Sequence, residues 1–185
     1  MNKPVVIIPT YNEIDNVRQI ADAVMKNLEG GDVLFVDDNS PDGTGKVADE
    51  MAAANPRVHV LHRPGKQGLG RAYIAGFKWT LENGYTHIFE MDADFSHDPA
   101  ELPNFIKASE EADLILGSRY IGGIRVMNWP LSRLLISTFG GFYVRVITGL
   151  PIMDRRGASS ASAARCLRRL ISTKSPPMAI RSRSR

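Results

Sequence analysis

One cysteine, Cys166, is all that 185 residues provide, so no disulfide can close within the chain, and a reducing compartment fits that usage. Long apolar runs are missing too. No stretch of about 18 uncharged apolar residues occurs, so no segment is expected to cross a bilayer as a helix. Met1-Asn2-Lys3-Pro4 leads straight into an apolar strand, with no basic-then-apolar leader, and no secretory signal is expected. Acid is absent from residues 155–185, which hold 9 Lys and Arg. Residues 1–154 carry all 20 acidic residues against 14 basic ones, a balance of −6 that the formal +3 conceals. A basic tail on an acidic domain is one way to attract nucleic acid or a membrane surface, and this tail admits a second explanation as well.

What the chain does have is enough apolar material for one core: 43% hydrophobic and 23% charged residues fit a single globular domain. Strand and helix patterns alternate up to about residue 120. Strands are predicted at Val5–Ile8, Val33–Val36, Val58–Leu61, His87–Met91 and Leu114–Gly117. Helices are predicted at Glu13–Leu28, with Ile14, Val17, Ile20, Ala21 and Val24 on one face, and at Gly45–Ala54, Gly68–Asn83 and Pro99–Glu111. Such alternation predicts an α/β fold with a mostly parallel sheet covered on both faces. Asn128–Thr148 reads as a further amphipathic helix, suited to packing on the sheet or to resting at a membrane surface.

Two acidic pairs stand where buried strands run out: Asp37-Asp38 and Asp92-Ala93-Asp94. Like charges at short range repel unless a cation or a donor array answers them. Open parallel sheets bind ligands at the carboxyl ends of their strands, where the strand order reverses. An Asp-x-Asp pair offers hard oxygens suited to Mg²⁺ or Mn²⁺, ions that keep waters and bridge to ligand phosphates. A nucleotide diphosphate is therefore the expected third party.

Each neighbouring motif has a structural reading beside the functional one. In Pro9-Thr10-Tyr11-Asn12-Glu13, Pro9 is expected to stop the strand ladder. Tyr11 could stack on a base and Glu13 accept hydrogen bonds from base or ribose. Equally, Thr10 or Asn12 could cap a helix whose positive end favours Glu13. Asp38-Asn39-Ser40-Pro41-Asp42-Gly43-Thr44 makes a good turn into a helix. Gly68-Leu69-Gly70-Arg71-Ala72 lacks the full dinucleotide spacing and reads as a helix start. His97 reads as a turn residue rather than a catalyst.

Together with Gly117-Ser118-Arg119-Tyr120, these motifs run in an order that resembles the family-2 glycosyltransferases, and most nearly the dolichol-phosphate or polyprenol-phosphate mannose synthases. The resemblance covers about residues 4–154. It implies a Rossmann-like nucleotide-sugar fold of the GT-A type, with mannose passing from GDP-mannose to the phosphate of dolichol or another polyprenol and inversion at the anomeric carbon. By the same resemblance, Pro9, Tyr11, Glu13, Val36 and Asp38 would hold the guanosine. Asp92, Ala93 and Asp94 would meet the donor, and Asp92 and Asp94 would organise the Mg²⁺ or Mn²⁺. Asp94 and Arg119 would carry the catalysis, Arg119 by meeting phosphate. Ser96, where archaeal members often have Gln, would be a further but poorer metal ligand, and water can take its place. No dedicated base is required, because a phosphate monoester is already ionised near neutral pH. The implied setting is the cytoplasmic face of a membrane, with room for a separate anchoring subunit and no nucleic acid. A family-2 enzyme with a UDP-glucose type of donor, and a non-catalytic fragment with a basic binding tail, remain the alternatives.

The pattern breaks at Arg155. Residues 155–185 show no helical or strand period and are expected to be disordered and basic. A frame shift accounts for them. With one nucleotide restored after Asp154, codons compatible with these residues spell Pro-Thr-Gly-Gly-Phe-Lys-Cys-Phe-Arg-Arg-Glu-Val-Leu-Glu-Ala-Ile-Asp-Phe. Further on they spell Ser-Asn-Gly-Tyr-Ser-Phe-Gln-Ile-Glu, and both stretches match the family's usual continuation. The expected organisation is thus an incomplete GT-A domain over 1–154 and an out-of-frame tail over 155–185.

Overall fold

The computed structural model describes residues 3–112, 114–116 and 160–163. Four parallel strands form its frame: β1 (Pro4–Thr10), β2 (Asp32–Asp37), β3 (Val58–His62) and β4 (His87–Glu90). Helices α1 (Val17–Asn27), α2 (Thr44–Ala54) and α3 (Leu69–Glu82) connect them in turn. After β4 come a 3₁₀ turn at Pro99–Glu101, α4 (Leu102–Ala108) and β5 (Leu114–Leu116). A last strand, β6 (Ser160–Ala163), runs antiparallel between β4 and β5, giving the order β3-β2-β1-β4-β6-β5.

The strands read as unbroken apolar runs because both sheet faces are covered. Val6, Ile8, Val33, Phe35 and Phe89 point to one face and pack with Val17, Ile20 and Val24 of α1, Ala48 and Met51 of α2, and Leu102 of α4. Val5, Ile7, Leu34, Val36 and Ile88 alternate to the other face, under Ala72 and Tyr73 of α3. At Gly76 a Cβ would lie 2.7 Å from Ile7 Cγ2, so glycine is what lets α3 lie this close to β1. At the amino ends of the strands, the Tyr85 hydroxyl donates to Asp32 Oδ2 at 2.6 Å and lies 3.1 Å from His59 Nε2, with Trp79 stacked on the Tyr85 ring.

Several expectations shift. Pro9 does not end β1: the strand continues to Thr10, with Pro9 opposite Val36 and Thr10 opposite Asp37. Pairing with β4 has already ended at Ile7, opposite Glu90. Met91 N donates to Ile7 O on the β4 side and Asp38 N donates to Thr10 O on the β2 side. Backbone groups alternate sides, so the missing Pro9 N–H falls on the side where no ladder remains to need it. Helix α1 begins at Val17 rather than Glu13, and Ile14 is exposed. The predicted helix 99–111 is a 3₁₀ turn followed by Leu102–Ala108. Within the tail, Ser160–Ala163 form a strand where no regular structure is expected. The amphipathic segment 128–148 and Arg119 lie outside the described residues.

Candidate functional site

Loops after β1, β2 and β4 meet at the carboxyl edge of the sheet, at the point where β1 parts from β2 on one side and β4 on the other. Strain gathers there. Asn12, Asn39 and Phe95, the non-glycine residues with positive φ among those described, stand one in each of these loops, at φ 61°, 57° and 57°. Asparagine tolerates that region and phenylalanine does not, so the Asp92–Ser96 loop is held in its shape by its surroundings.

The first acidic pair divides its work. Asp37 is buried and accepts from Thr10 Oγ1 at 3.0 Å, from Ser40 N at 3.0 Å and from Ser40 Oγ at 2.5 Å. It is a structural carboxylate that ties the β1 end to the β2 loop. Asp38 is ion-paired through Oδ1 with Arg63, just beyond β3; the two side chains are 7% and 9% exposed. Repulsion within this pair is thus answered by hydroxyls, an amide and a guanidinium of the protein itself.

The β1 and β2 loops are laced together through three consecutive amides. Asn12 N donates to Ser40 Oγ at 3.1 Å, Glu13 N to Thr44 Oγ1 at 2.9 Å and Ile14 N to Asp42 Oδ2 at 3.2 Å. Neither Thr10 nor Asn12 caps α1 with its side chain, because these β2-loop partners satisfy the amides ahead of the helix instead. Burial works to raise the Asp42 pKa, but the hydrogen bonds from Thr44 and Ile14 prevail and hold it below the usual carboxylate value. Glu13 turns its carboxylate back to Asn16 Nδ2 at 2.8 Å. Lys66 Nζ lies 4.2 Å from the centre of the Tyr11 ring, over one of its two faces. Pro9 is half-buried in β1. Val36 and Ala93 are buried, leaving their backbones as the groups that could meet a ligand.

The second pair lies beyond the end of β4. Asp92 is half-buried, and its Oδ1 accepts from the Tyr73 hydroxyl at 3.1 Å. Burial, then the carboxylates of Asp92, Glu90 and Asp94, push the Tyr73 hydroxyl far above its ordinary value, so it stays a donor. The Asp92 amide donates to His97 Nδ1 at 3.2 Å, which makes His97 a buried turn residue, as its position predicts. Asp94 is exposed, and its Oδ1 accepts from Ser96 N at 2.9 Å. Neither Oδ2 has a partner among the described residues. No cluster of three or more His, Cys, Asp or Glu side chains able to hold a metal occurs among them. Two one-sided carboxylates with hard oxygens nonetheless fit Mg²⁺ or Mn²⁺ when a diphosphate and water supply the remaining ligands. Ser96 is exposed beside Asp94.

This order of acidic strand ends, laced loops and carboxylate-bearing turn on a mostly parallel sheet agrees with a family profile, Glycosyl transferase family 2, that matches residues 5–183. The chain belongs to that family. It is 50% identical over 162 residues to an undecaprenyl-phosphate mannosyltransferase of Micrococcus luteus, covering 88% of this chain and 67% of that one. It is 50% identical over 154 residues to a polyprenol monophosphomannose synthase of Mycolicibacterium smegmatis, covering 82% of this chain and 58% of the other. A dolichol-phosphate mannosyltransferase of Pyrococcus furiosus is 41% identical over 135 residues, 71% of this chain and 37% of its own. The chain therefore spans between about a third and two thirds of the length of these curated relatives. Among solved structures, a mannosyltransferase from Pyrobaculum calidifontis in complex with GDP-Man and Mn²⁺ superposes with a TM-score of 0.61 at 18% identity, over 90% of this chain and 46% of that one. That likeness is one of fold.

Sequence reading alone did not find Arg63, Lys66 or Tyr73 as site residues. Their partners are 25, 55 and 19 positions away, and no local spacing signals such contacts.

Proposed function

We propose that this glycosyltransferase family 2 chain carries the donor half of a polyprenyl-phosphate mannosyltransferase, moving mannose from GDP-mannose to the phosphate of dolichol or another polyprenol with inversion. The observation that carries the reading is that Asp92 and Asp94 follow β4 while Asp38 and Arg63 follow β2 and β3, all at the carboxyl edge of one parallel sheet. One corner is built for a diphosphate and the other for a base. The names of the relatives that are 41–50% identical point to the same donor sugar and lipid class.

In this reading the base lies against Asp38 and between Tyr11 and the β2 loop, while Glu13 and the backbones of Pro9 and Val36 border the nucleoside. Asp92 and Asp94, with the Ala93 backbone between them, face the diphosphate. Asp92 and Asp94 would hold Mg²⁺ or Mn²⁺, with water in place of a Ser96 ligand. Bound there, the ion supplies Lewis-acid stabilisation of the leaving diphosphate. A phosphate oxygen of the acceptor forms the new bond to mannose C1, the bond from C1 to the β-phosphate oxygen breaks, and GDP leaves with the electron pair. The acceptor oxygen is ionised beforehand, so no protein base is needed, and Arg119 is proposed to offset charge on the phosphates. No helix among the described residues is long and apolar enough to cross a membrane. Contact with the lipid is proposed at the cytoplasmic membrane surface, through the chain itself or an anchoring subunit.

The tail belongs to the same proposal. Residues 155–185 are an out-of-frame reading of the family's continuation. In support, β6 places Ser-Ala-Ser-Ala between β4 and β5, with Ser162 opposite Ile88 and Ala161 opposite Phe89. Ser-Ala-Ser-Ala lacks the β-branched and aromatic residues that strands favour, whereas the restored frame puts Lys-Cys-Phe-Arg at those positions. Coding DNA with no compatible alternative frame would sink this part.

The functional test compares this chain, its frame-restored version and the restored Asp94→Asn variant. Each receives labelled GDP-mannose, a polyprenyl phosphate and Mg²⁺ or Mn²⁺, and label is counted in the organic phase. Transfer by the restored chain that falls by about 100-fold or more in Asp94→Asn is the expected result. No transfer from GDP-mannose, with transfer from UDP-glucose instead, would replace the proposed donor.

A further inference from the structure

Among the described residues, β5 joins the sheet only through β6, while β4 pairs with β1 on one side and with β6 on the other. The two walls of this slot are placed by other contacts. The ladder to β1 fixes β4, and Ile115 of β5 packs on the core cluster that holds Phe89, together with Phe105 and Ile106 of α4. What fills the slot is Ser-Ala-Ser-Ala, a stretch poor in strand formers that lies far along the chain, beyond residues 117–159. A strand that its own sequence does not favour is imposed by the edges beside it, whose backbone groups need a partner. The register states what that partner should carry. Position 160 stands opposite Glu90, position 161 opposite Phe89 and Ile115, and position 162 opposite Ile88 and Leu114. Phe89 belongs to the core on one face of the sheet and Ile88 to the core on the other. Both central positions therefore call for an apolar residue, and the position facing Glu90 for a cation.

We infer that the slot between β4 and β5 is a strand-acceptor site. It takes an extended peptide, antiparallel to both walls, in which a cation precedes two adjacent apolar residues, and it takes that peptide from a separate chain as well as from its own tail. The occupant it fits is the restored-frame segment Phe-Lys-Cys-Phe-Arg, so the choice of peptide rests on the out-of-frame reading of the tail. That segment sets Lys opposite Glu90, Cys opposite Phe89 and Ile115, and Phe opposite Ile88 and Leu114, where the present chain offers Ser, Ala and Ser. An added strand draws its affinity from main-chain hydrogen bonds and its specificity from the side chains. The tail's one advantage is its tether, which raises its effective concentration. Better cross-strand pairs on both walls work against it. A chain whose own sixth strand is a poor one can thus be completed by a second polypeptide that brings a better.

The test is fluorescence anisotropy of a labelled peptide, Thr-Gly-Gly-Phe-Lys-Cys-Phe-Arg-Arg-Glu, titrated under reducing conditions with the full chain, its Ala161→Pro variant and the frame-restored chain. Proline removes a ladder donor from the interior of β6, so Ala161→Pro is expected to bind the peptide about tenfold more tightly than the unaltered chain. The frame-restored chain fills the slot with its own better strand and is expected to bind about tenfold more weakly. A peptide of the same composition with Lys and Cys exchanged puts the charge opposite Phe89 and Ile115 and is expected to lose about tenfold or more. Hydrogen exchange locates the peptide, since amides of 87–90 and 114–116 in Ala161→Pro should regain protection when it is added. Circular dichroism checks that the variant is folded, and the two peptides on the unaltered chain decide the matter should it not be. Coding DNA with no second frame would overturn the out-of-frame reading while these titrations still judge the slot. Equal binding of the two peptides, undiminished binding by the frame-restored chain, or no binding by the unaltered chain and the folded variant overturns the inference.

Discussion

The same substitution, glycine to alanine, should move stability in opposite directions at three helical positions. In a helix, alanine gains about 0.5–1 kcal/mol over glycine from the smaller entropy lost on folding. At Gly70, in the first turn of α3, a Cβ meets nothing within 4 Å, so that gain should appear undiminished. At Gly76 the added carbon would lie 2.7 Å from Ile7 Cγ2 and 3.3 Å from Val36 Cγ2. Overpacking of that kind costs about 1–3 kcal/mol, and a net loss of up to about 2 kcal/mol follows. Gly45 is the severe case. A Cβ there would lie 2.8 Å from Asp37 Oδ2, on the carboxylate that receives Thr10 Oγ1, Ser40 N and Ser40 Oγ. Hydrogen bonds to charged groups are worth about 1.5–3 kcal/mol each, so displacing the carboxylate from two of them outweighs the helical gain several times over. Urea unfolding followed by tryptophan fluorescence gives the three changes directly, and nucleotide titration should show weaker binding in Gly45→Ala because the loop that carries Asp38 has moved. Equal stabilisation at all three positions would refute the packing argument, and a stabilised Gly45→Ala would refute the role given to Asp37.

Tyr73→Phe frees Asp92 Oδ1 without changing the shape of the core; the Mn²⁺ concentration for half-saturation, read by electron paramagnetic resonance, should rise about tenfold while metal-free GDP binding stays constant, and an unchanged Mn²⁺ curve would sink the positioning role. His87, at the start of β4, has its pKa lowered by burial from the ordinary 6.5. Its charged form is therefore favoured in the unfolded chain, so its contribution to stability is complete above pH 6.5 and is lost as pH falls from there toward its lower folded value. Unfolding free energies measured between about pH 5 and pH 8 should slope downward toward acid in that window, and the slope should flatten in His87→Gln; an identical slope in the variant would assign the effect elsewhere.

How much of this was legible beforehand depends on the distance over which each signal acts. Strands β1 to β4 and their helices follow from runs such as Val5–Ile8 and Val33–Val36 and from the 3.6-residue spacing of Val17, Ile20 and Val24, all of which are buried. Local chemistry also placed the Asp92–Asp94 turn at the carboxyl edge and read His97 as a turn residue, while its hydrogen bond from the Asp92 amide came only with the structure. Contacts across the sheet edge were not legible. Thr44 and Asp42 serve amides of residues 13 and 14, and Arg63 serves Asp38, because parallel strands bring together loops that are separated by a whole helix. Ile14 fits the helical face by spacing yet is exposed, since α1 begins only at Val17. Pro9 misleads in the other direction, as its ladder-breaking effect depends on which neighbour its nitrogen faces.

The two acidic pairs look alike in the sequence and differ in what answers them. Asp37 has both oxygens engaged, by Thr10 and Ser40, and Asp38 meets the Arg63 guanidinium through one of its own, whereas Asp92 and Asp94 each have one oxygen engaged by a neutral donor, the Tyr73 hydroxyl or the Ser96 amide. Burial follows the same division: the first pair is buried, Asp92 is half-buried and Asp94 is exposed. A carboxylate met by the fold can shape a pocket and read the edge of a base. One that no cation among the described residues meets can share a bound cation with phosphates. The strained φ of 57° at Phe95 costs about 1–3 kcal/mol and falls on the open pair's own loop. Asp94 stands exposed beside that strained residue, where the proposed diphosphate and its cation would complete its surroundings.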